Sequence, residues 1–252
     1  MRLAHNIFGE QTELPTLVIV PGLFGHGRNW GVIARRLADS RRVVTLDQRN
    51  HGDSPWDDDH SYAAMAGDLA ELITELGAPV DLVGHSMGGK AAMVLALTHP
   101  ELLRRLIVAD IAPVAYGHTQ SQNITAMRAV GTQFPSRKEA EAALAQYIDE
   151  PVIRTFLLQS LDLKEQRWKL NLDALEAAMP QILSFPEISG SFDGPTLFLT
   201  GAESNYVRPE HRELIKSLFP KAKFAKIPGA GHWLHAEKPR EVEETMRVFL
   251  SV

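Results

Sequence analysis

Short apolar runs that alternate with helical patterns constrain the fold of this chain more than any other feature of its sequence. The runs are TLVIV (16–20), RVVTL (42–46), VDLVGH (80–85), RLIVA (105–109), TLFLT (196–200) and KFAKI (223–227). Most are apolar along nearly their whole length, as expected for parallel strands that are covered on both faces. The sequence therefore predicts parallel strands buried between layers of helices.

Between these runs, apolar residues recur with helical spacing. The clearest helical segments are 30–39, 62–76, 88–99, 209–219 and 239–250. The last two begin with proline, which is well tolerated in the first turn because the amide there has no helical partner. Alternating strands and helices predict an α/β fold with a doubly wound, mostly parallel sheet and right-handed crossovers.

One interval, from residue 113 to 190, interrupts this alternation. It contains no strong strand candidate, only helical patterns such as SRKEAEAALAQYI (136–148), EPVIRTFLLQSL (150–161) and LDALEAAMPQIL (172–183). An unstructured loop of that length would be unusual in a compact domain. We therefore expect a helical cap at residues 113–190, inserted into a core formed by residues 1–112 and 191–252.

The pentapeptide GHSMG at residues 84–88 carries the clearest chemical signal. It fits the pattern G-x-S-x-G and lies between a predicted strand and a predicted helix, where a sharp turn exposes the serine hydroxyl at the sheet edge. Its glycines let neighbouring backbone approach the turn, and the helix N-terminus directs amides toward developing negative charge. We predict that Ser86 is a nucleophile, the alternative being an ordinary turn serine.

A serine hydroxyl needs a neighbouring base, because it is a poor nucleophile at neutral pH. The segment GAGHWLHAEKP (229–239) offers one: a glycine-rich loop leaves the last predicted strand, presents His232 and enters the final helix. Imidazole titrates in the useful range. We predict that His232 is the base, and we expect His85 and His235 to be ordinary surface or core side chains.

A third glycine-rich segment, PGLFGHGRNW (21–30), follows the first long apolar run. Glycines there allow backbone amides to turn toward the nucleophile. We expect an oxyanion hole formed by the amide of Leu23, or alternatively Phe24, together with the amide of Met87. An ordinary glycine-rich turn is the competing interpretation.

Together these motifs resemble the α/β-hydrolase superfamily over nearly the whole chain. The matching segments are PGLFG (21–25), DQRNHGDS (47–54), GHSMGGK (84–90), DIAPV (110–114) and GAGHWLHAEKP (229–239). The combination is especially similar to the small bacterial YbfF-type esterases, which implies activity on short to medium acyl esters and acyl-CoA thioesters. Pro21 departs from the family, which usually has a histidine there, but no backbone donor is lost. Arg49 and Asp53 are expected to be structural.

The third member of a catalytic triad is less obvious. The family's commonest arrangement has an Asp after a late strand, but TGAESNYV (200–207) holds Ser204 at that position, with Glu203 one residue out of register. Asp110 follows the strand next to the nucleophile helix, at the same carboxyl edge of the sheet and one strand, about 4.8 Å, nearer. The resemblance implies Asp110 as the acid and leaves Ser204 as a supporting hydroxyl. Glu203, or no acid at all, are the alternatives.

A serine nucleophile favours acyl transfer from esters, thioesters or lactones. The predicted function is therefore a serine esterase or thioesterase, with carbon–carbon bond hydrolysis, lactone hydrolysis or perhydrolysis as alternatives, and a non-catalytic binding protein as another. The expected partner is a small acyl ester or thioester. Candidate pocket residues are Phe24, Met127, Phe134, Phe156 and Trp233. For those of the cap, packing within the helical layer is the competing interpretation.

Composition narrows the class of protein. The formal net charge of -5 disfavours a nucleic-acid-binding protein, and no apolar run is long enough to span a bilayer. Cysteine is absent, which excludes disulfides and thiolate metal sites. No His, Asp and Glu cluster has metal-ligand spacing, and the proposed chemistry needs no cofactor. MRLAHNIFGE does not resemble a signal peptide, so we expect a cytoplasmic protein.

Overall fold

The computed structural model of the protein describes residues 1–251, and a seven-stranded sheet forms its centre. The strands are β1 (His5–Phe8), β2 (Leu17–Val20), β3 (Val43–Leu46), β4 (Val80–His85), β5 (Leu103–Ala109), β8 (Thr196–Gly201) and β9 (Ala222–Ile227). Their order is β1-β3-β2-β4-β5-β8-β9, and only β1 runs antiparallel to its neighbour. The predicted α/β fold with a mostly parallel sheet is confirmed.

All six predicted strands are present, and β1 was not predicted. The sequence of β1, HNIF, is half exposed, whereas β2, β3 and β4 are buried along their whole length. An edge strand with an open face lacks the continuous apolar run that identified the others. Its short length also makes its pattern hard to distinguish from a loop.

Helices cover both faces of the sheet. They are α1 (Gly31–Leu37), α2 (Tyr62–Leu76), α3 (Met87–Thr98), α9 (Arg212–Leu218), α10 (Leu234–Glu237) and α11 (Pro239–Leu250). Apolar side chains of α1 and α11 pack in one buried cluster, and those of α2, α3 and α9 pack in another. The sheet lies between the two clusters. Because all of its strands except β1 run parallel to one another, their carboxyl ends lie along one edge.

The segment from residue 113 to 190, here called the insertion, lies between β5 and β8. It contains α4 (Ser121–Val130), α5 (Arg137–Leu144), α6 (Pro151–Leu158), α7 (Leu172–Ala177), α8 (Met179–Leu183) and a hairpin of β6 (Leu161–Asp162) and β7 (Arg167–Trp168). The hairpin was not predicted, since two-residue strands leave no periodic pattern. The pattern at 172–183 forms two helices because Pro180, in the first turn of α8, has no amide to continue α7.

The insertion is attached to the rest of the chain by hydrogen bonds at its second half. The hydroxyl of Tyr62 donates to the carbonyl of Ile182 at 2.6 Å, and Lys90 Nζ donates to the carbonyls of Leu183 and Ser184 at 3.0 and 2.5 Å. These contacts position the end of α8 beside α2 and α3. The assignment of the insertion as a separate domain stays a prediction. In residues 1–251 no helix has both the length and the apolar character to cross a membrane.

Candidate active site

Ser86 lies between β4 and α3 on a sharp turn, with φ 52° and ψ -122°. This backbone conformation is rare for a residue with a side chain and marks a strained turn. The turn is compact: a Cβ at Gly84 would lie 2.3 Å from the carbonyl oxygen of Gly88, and one at Gly88 would lie 2.3 Å from that of Pro21. Only glycine fits at both positions, so the sequence pattern is explained by close backbone approach.

His232 follows β9 and faces this serine. Its Nε2 lies 3.1 Å from Ser86 Oγ, within hydrogen-bond distance. Its backbone carbonyl accepts a hydrogen bond from Nε2 of the buried His85 at 2.9 Å. His85, expected to be an ordinary surface or core side chain, therefore holds the loop that carries His232.

Asp110 follows β5 and is fully buried. Its Oδ2 lies 2.8 Å from Nδ1 of His232, and its Oδ1 accepts the amide of Gly201 at 3.1 Å. Because a carboxylate only accepts, Nδ1 of His232 carries the proton, and in the neutral ring Nε2 is free to accept from Ser86 Oγ. The three side chains thus form a continuous hydrogen-bonded chain across the carboxyl edge of the sheet.

Ser204 and Glu203 differ in what they contact. Ser204 Oγ donates to Asp110 Oδ2 at 2.5 Å and accepts the amide of Tyr206 at 3.3 Å. The Glu203 side chain is exposed, and within residues 1–251 its carboxylate makes no hydrogen bond to His232. The arrangement thus contains a carboxylate after β5 and a hydroxyl at the late position.

Near Ser86, the backbone amides of Leu23 and Met87 make no hydrogen bond within residues 1–251. The amide of Met87 is at the N-terminus of α3, where helical amides lack partners. The amide of Phe24, the alternative donor, is directed away and donates to Nε2 of His51 at 3.1 Å. Leu23 and Met87 are therefore the pair that could stabilise an oxyanion at this site.

A cavity of about 310 Å³ opens beside Ser86 and His232. Among the residues expected in the site, Leu23, Phe24, Met87, Phe156 and Trp233 line it. Met127 and Phe134 do not, which corrects the prediction for both. Met127 is fully buried on the inner face of α4, and Phe134, just after α4, packs partly buried against the core. A helical repeat of apolar residues does not distinguish packing within the insertion from lining of the cavity.

Tyr206 lies in the segment TGAESNYV (200–207), but it was not identified as a site residue from the sequence. Its ring stacks on the imidazole of His232, with centroids 4.0 Å apart and planes 20° apart. Its hydroxyl lies 2.8 Å from Nε2 of His118, and its carbonyl accepts the hydroxyl of Tyr116 at 2.8 Å. A single aromatic residue carries no motif, so only its proximity to Ser204 could have identified it.

Burial suppresses charge around the site. It lowers the pKa of His51 to about 4 and that of His235 to about 3, and it also lowers the pKa of His85. Burial lowers the pKa of Lys90 as well, to about 7. His51, His85 and His235 are therefore neutral at physiological pH and act as hydrogen-bonding and packing groups. Among residues 1–251, no cluster of three His, Asp or Glu side chains could hold a metal ion.

Several known proteins are similar to this chain in sequence. The sequence profile of the Alpha/beta hydrolase family matches residues 17–245. The mouse protein named sn-1-specific diacylglycerol lipase ABHD11 is 42% identical over 265 residues, covering 99% of this chain and 85% of its own. Esterase YbfF of Escherichia coli strain K12 is 37% identical over 238 residues, covering 93% of this chain and 92% of its own.

A solved structure shares the fold closely. An esterase from a marine microorganism superposes with a TM-score of 0.93 and is 41% identical in sequence. The match covers 98% of this chain and 99% of the other. The likeness therefore includes the insertion as well as the sheet.

Proposed function

Since this chain belongs to the alpha/beta hydrolase family and is a hydrolase acting on ester bonds, we propose that it works through an acyl-enzyme on Ser86. The observation that carries the proposal is the hydrogen-bonded chain from Ser86 through His232 to Asp110, with distances of 3.1 and 2.8 Å. Nucleophile, base and orienting group are each within reach of the next, as nucleophilic catalysis by serine requires.

In the acylation step, Ser86 Oγ bonds to the carbonyl carbon of the ester while His232 Nε2 takes its proton. The resulting oxyanion accepts hydrogen bonds from the amides of Leu23 and Met87, which need no reorganisation because they are already unpaired. His232 then gives the proton to the leaving alkoxide as the carbon–oxygen bond breaks. The products are an alcohol and an ester of Ser86.

In the deacylation step, water takes the place of the alcohol. His232 Nε2 accepts a proton from the water as its oxygen attacks the acyl carbon, and the same two amides hold the second oxyanion. Collapse of this intermediate releases the carboxylic acid and returns the proton to Ser86 Oγ.

Asp110 and Ser204 support the base in this mechanism. Asp110 holds the tautomer of His232 that has its proton on Nδ1, and its negative charge stabilises the imidazolium that forms in each step. Ser204 donates to the carboxylate oxygen that faces His232. It therefore fixes the orientation of the carboxylate without supplying charge.

The cavity favours compact acyl groups. Its volume of about 310 Å³ is at the lower end of the range for ligand sites. Short to medium acyl chains, as oxygen esters or as thioesters, are the proposed substrates. Diacylglycerol is a second candidate because of the mouse lipase that is 42% identical to this chain.

We assign the insertion the role of a cap that provides one wall of this cavity. Ile153, Phe156 and Leu157 of α6 and Ile182 and Leu183 of α8 all line the cavity. The lining also includes Tyr116, His118 and Asn123 of the insertion, Tyr62 of α2 and Lys90 of α3, together with loops at the carboxyl edge of the sheet. A cytoplasmic location is also proposed, since the sequence contains no cysteine.

Hydrolysis of a series of p-nitrophenyl esters of increasing acyl length tests this function, with acyl-CoA thioesters and a diacylglycerol assayed in parallel. We expect activity to be highest for short or medium chains, and Ser86→Ala to abolish it together with covalent labelling by a fluorophosphonate. Full activity of Ser86→Ala would contradict the acyl-enzyme. Inactivity of the wild type on every ester and thioester, with labelling intact, would favour lactone, carbon–carbon bond or perhydrolysis chemistry.

A further inference from the structure

The turn that carries the proposed oxyanion donor is held in a strained form. The amide of Gly25 donates to the carbonyl of Gly22 at 3.0 Å, which closes a four-residue turn with Leu23 and Phe24 in its centre. Phe24 has φ 62°, and Leu23 is not among the residues with positive φ. This combination defines a type II turn, whose third position strongly favours glycine. Here that position holds a buried phenylalanine.

His51 accepts the amide of Phe24. Its Nδ1 lies 2.9 Å from the carbonyl of Arg49, which can only accept, so Nδ1 carries the proton. Its Nε2 is then the acceptor for the amide of Phe24 at 3.1 Å. Full burial lowers the pKa of His51 to about 4, so this tautomer persists at neutral pH.

Ser160 of the insertion binds the other side of the same residue. Its buried hydroxyl donates to the carbonyl of Phe24 at 3.0 Å. The adjacent Gln159 accepts Asn29 Nδ2 at 2.5 Å through its side chain, and its carbonyl lies 3.1 Å from His26 Nε2. The turn is therefore fixed from the sheet side by His51 and from the insertion side by Ser160.

We propose that His51 and Ser160 are positioning residues for the oxyanion hole: they hold the Phe24 backbone, and with it the turn that carries the Leu23 amide at the edge of the cavity. A type I turn would relieve the positive φ of Phe24, but it requires the central Leu23–Phe24 peptide to turn over. His51 opposes that rotation because it binds the amide of this peptide. Its contact is thus selective for the strained turn.

This inference rests on the proposed function, since it assigns a role to groups that act on the oxyanion. Misplacement of a catalytic group by about 1 Å can cost on the order of 100-fold in rate. We expect His51→Leu to lower kcat for a p-nitrophenyl ester by about 10- to 100-fold with little change in KM, less than outright loss of an oxyanion donor because the Leu23 amide is displaced and not removed. Ser160→Ala should lower it about three- to tenfold.

His51→Gln is the conservative variant, because its side-chain oxygen can accept the Phe24 amide while its NH₂ donates to the backbone carbonyl of Arg49. It should recover most of the activity that His51→Leu loses. Ser54→Ala is the matched control for Ser160→Ala. Ser54 is also a buried serine, whose hydroxyl donates to the carbonyl of Asp47 at 2.6 Å, away from Phe24. It should match Ser160→Ala in melting temperature and the wild type in kcat.

A trifluoromethyl ketone, which forms an oxyanion on the serine, provides the second measurement. We expect its inhibition constant to rise in His51→Leu and Ser160→Ala by the same factor as kcat falls, and to stay unchanged in Ser54→Ala. Equal kcat and equal inhibition in Ser160→Ala and Ser54→Ala, together with either wild-type kcat in His51→Leu or no recovery of kcat in His51→Gln, would overturn the inference. If His51→Leu does not fold, the comparison of Ser160→Ala with Ser54→Ala tests the inference by itself. Loss of the proposed function itself would show differently, as a wild type whose ester hydrolysis does not depend on Ser86.

Discussion

Ser204 donates its hydroxyl hydrogen to Oδ2 of Asp110 at 2.5 Å, and the same oxygen lies 2.8 Å from Nδ1 of His232. Ser204, which follows the late strand β8, is therefore hydrogen-bonded to Asp110, which follows β5. Asp110 itself adopts φ 52°, a conformation uncommon outside glycine. The Asp110 carboxylate receives three hydrogen bonds, from the Gly201 amide, Ser204 Oγ and His232 Nδ1. These bonds and the strained backbone fix the position of the carboxylate.

Asp110→Asn should lower kcat for ester hydrolysis by a factor on the order of 10⁴. The amide would still fill the site, but it can donate to Nδ1 and so favours the wrong tautomer of His232. Glu203→Gln serves as the control, because the exposed Glu203 carboxylate lies outside the hydrogen-bonded chain. Steady-state kinetics on a p-nitrophenyl ester measure both. Near-normal hydrolysis by Asp110→Asn, with loss in Glu203→Gln, would reverse the assignment.

Ser204→Ala should have a smaller effect than Asp110→Asn. A hydrogen bond to a charged group contributes about 1.5–3 kcal/mol, and part of that is recovered because Gly201 still donates to Oδ1. We expect kcat to fall about tenfold with KM unchanged. Ser204→Thr should restore activity, since it retains the hydroxyl. A Ser204→Ala variant with wild-type kcat would show that the contact has no part in orienting Asp110.

Much of the fold could be predicted from the sequence because the core strands carry their own signal. Strands β2, β3, β4 and β8 are buried along their whole length, and the helical pattern at 62–76 matches α2 residue for residue. The edge strand β1 and the hairpin β6–β7 have no such signal, because short or half-exposed strands depend on neighbours that are distant in sequence. Pro180 is present in the sequence, but whether a proline ends a helix or only bends it depends on the packing of the residues beyond it.

The placement of the candidate site residues could be predicted for a similar reason. Ser86, Asp110 and His232 each follow a parallel strand, and such residues meet at one edge. The contacts that orient them were not predictable. The pairing of His51 with Phe24 and the stacking of Tyr206 on His232 join residues 27 and 26 positions apart through turns whose geometry no local pattern encodes.

Tyr206 should orient His232 through its ring and not through its hydroxyl. The stacked geometry, with centroids 4.0 Å apart, predicts that Tyr206→Phe keeps most of the activity. Tyr206→Ala removes the aromatic contact, which is worth about 0.5–1.5 kcal/mol, and should lower kcat about two- to tenfold. Measurement of kcat for both variants on one ester distinguishes the two roles. Equal loss in both would instead indicate that the hydroxyl contact with His118 matters.

Acid should destabilise this protein more steeply than its carboxylates alone would cause. Six histidines are buried with a lowered pKa: His26, His51, His60, His85, His211 and His235. Burial is the main cause for each, and it brings the pKa of His51 to about 4 and that of His60 to about 3. In the unfolded chain these rings titrate near pH 6.5.

Between about pH 6.5 and pH 4, the unfolded state therefore binds more protons than the folded state, so the free energy of unfolding rises with pH in that window and is lost as the pH falls. Each extra proton contributes a slope of about 1.4 kcal/mol per pH unit. Urea denaturation at about pH 7 and about pH 5 measures the total slope. His60→Gln should reduce it by about one proton, whereas His99→Gln, which changes a half-exposed ring, should leave it unchanged. Equal slopes in the wild type and His60→Gln would show that the folded state also binds the His60 proton in this range.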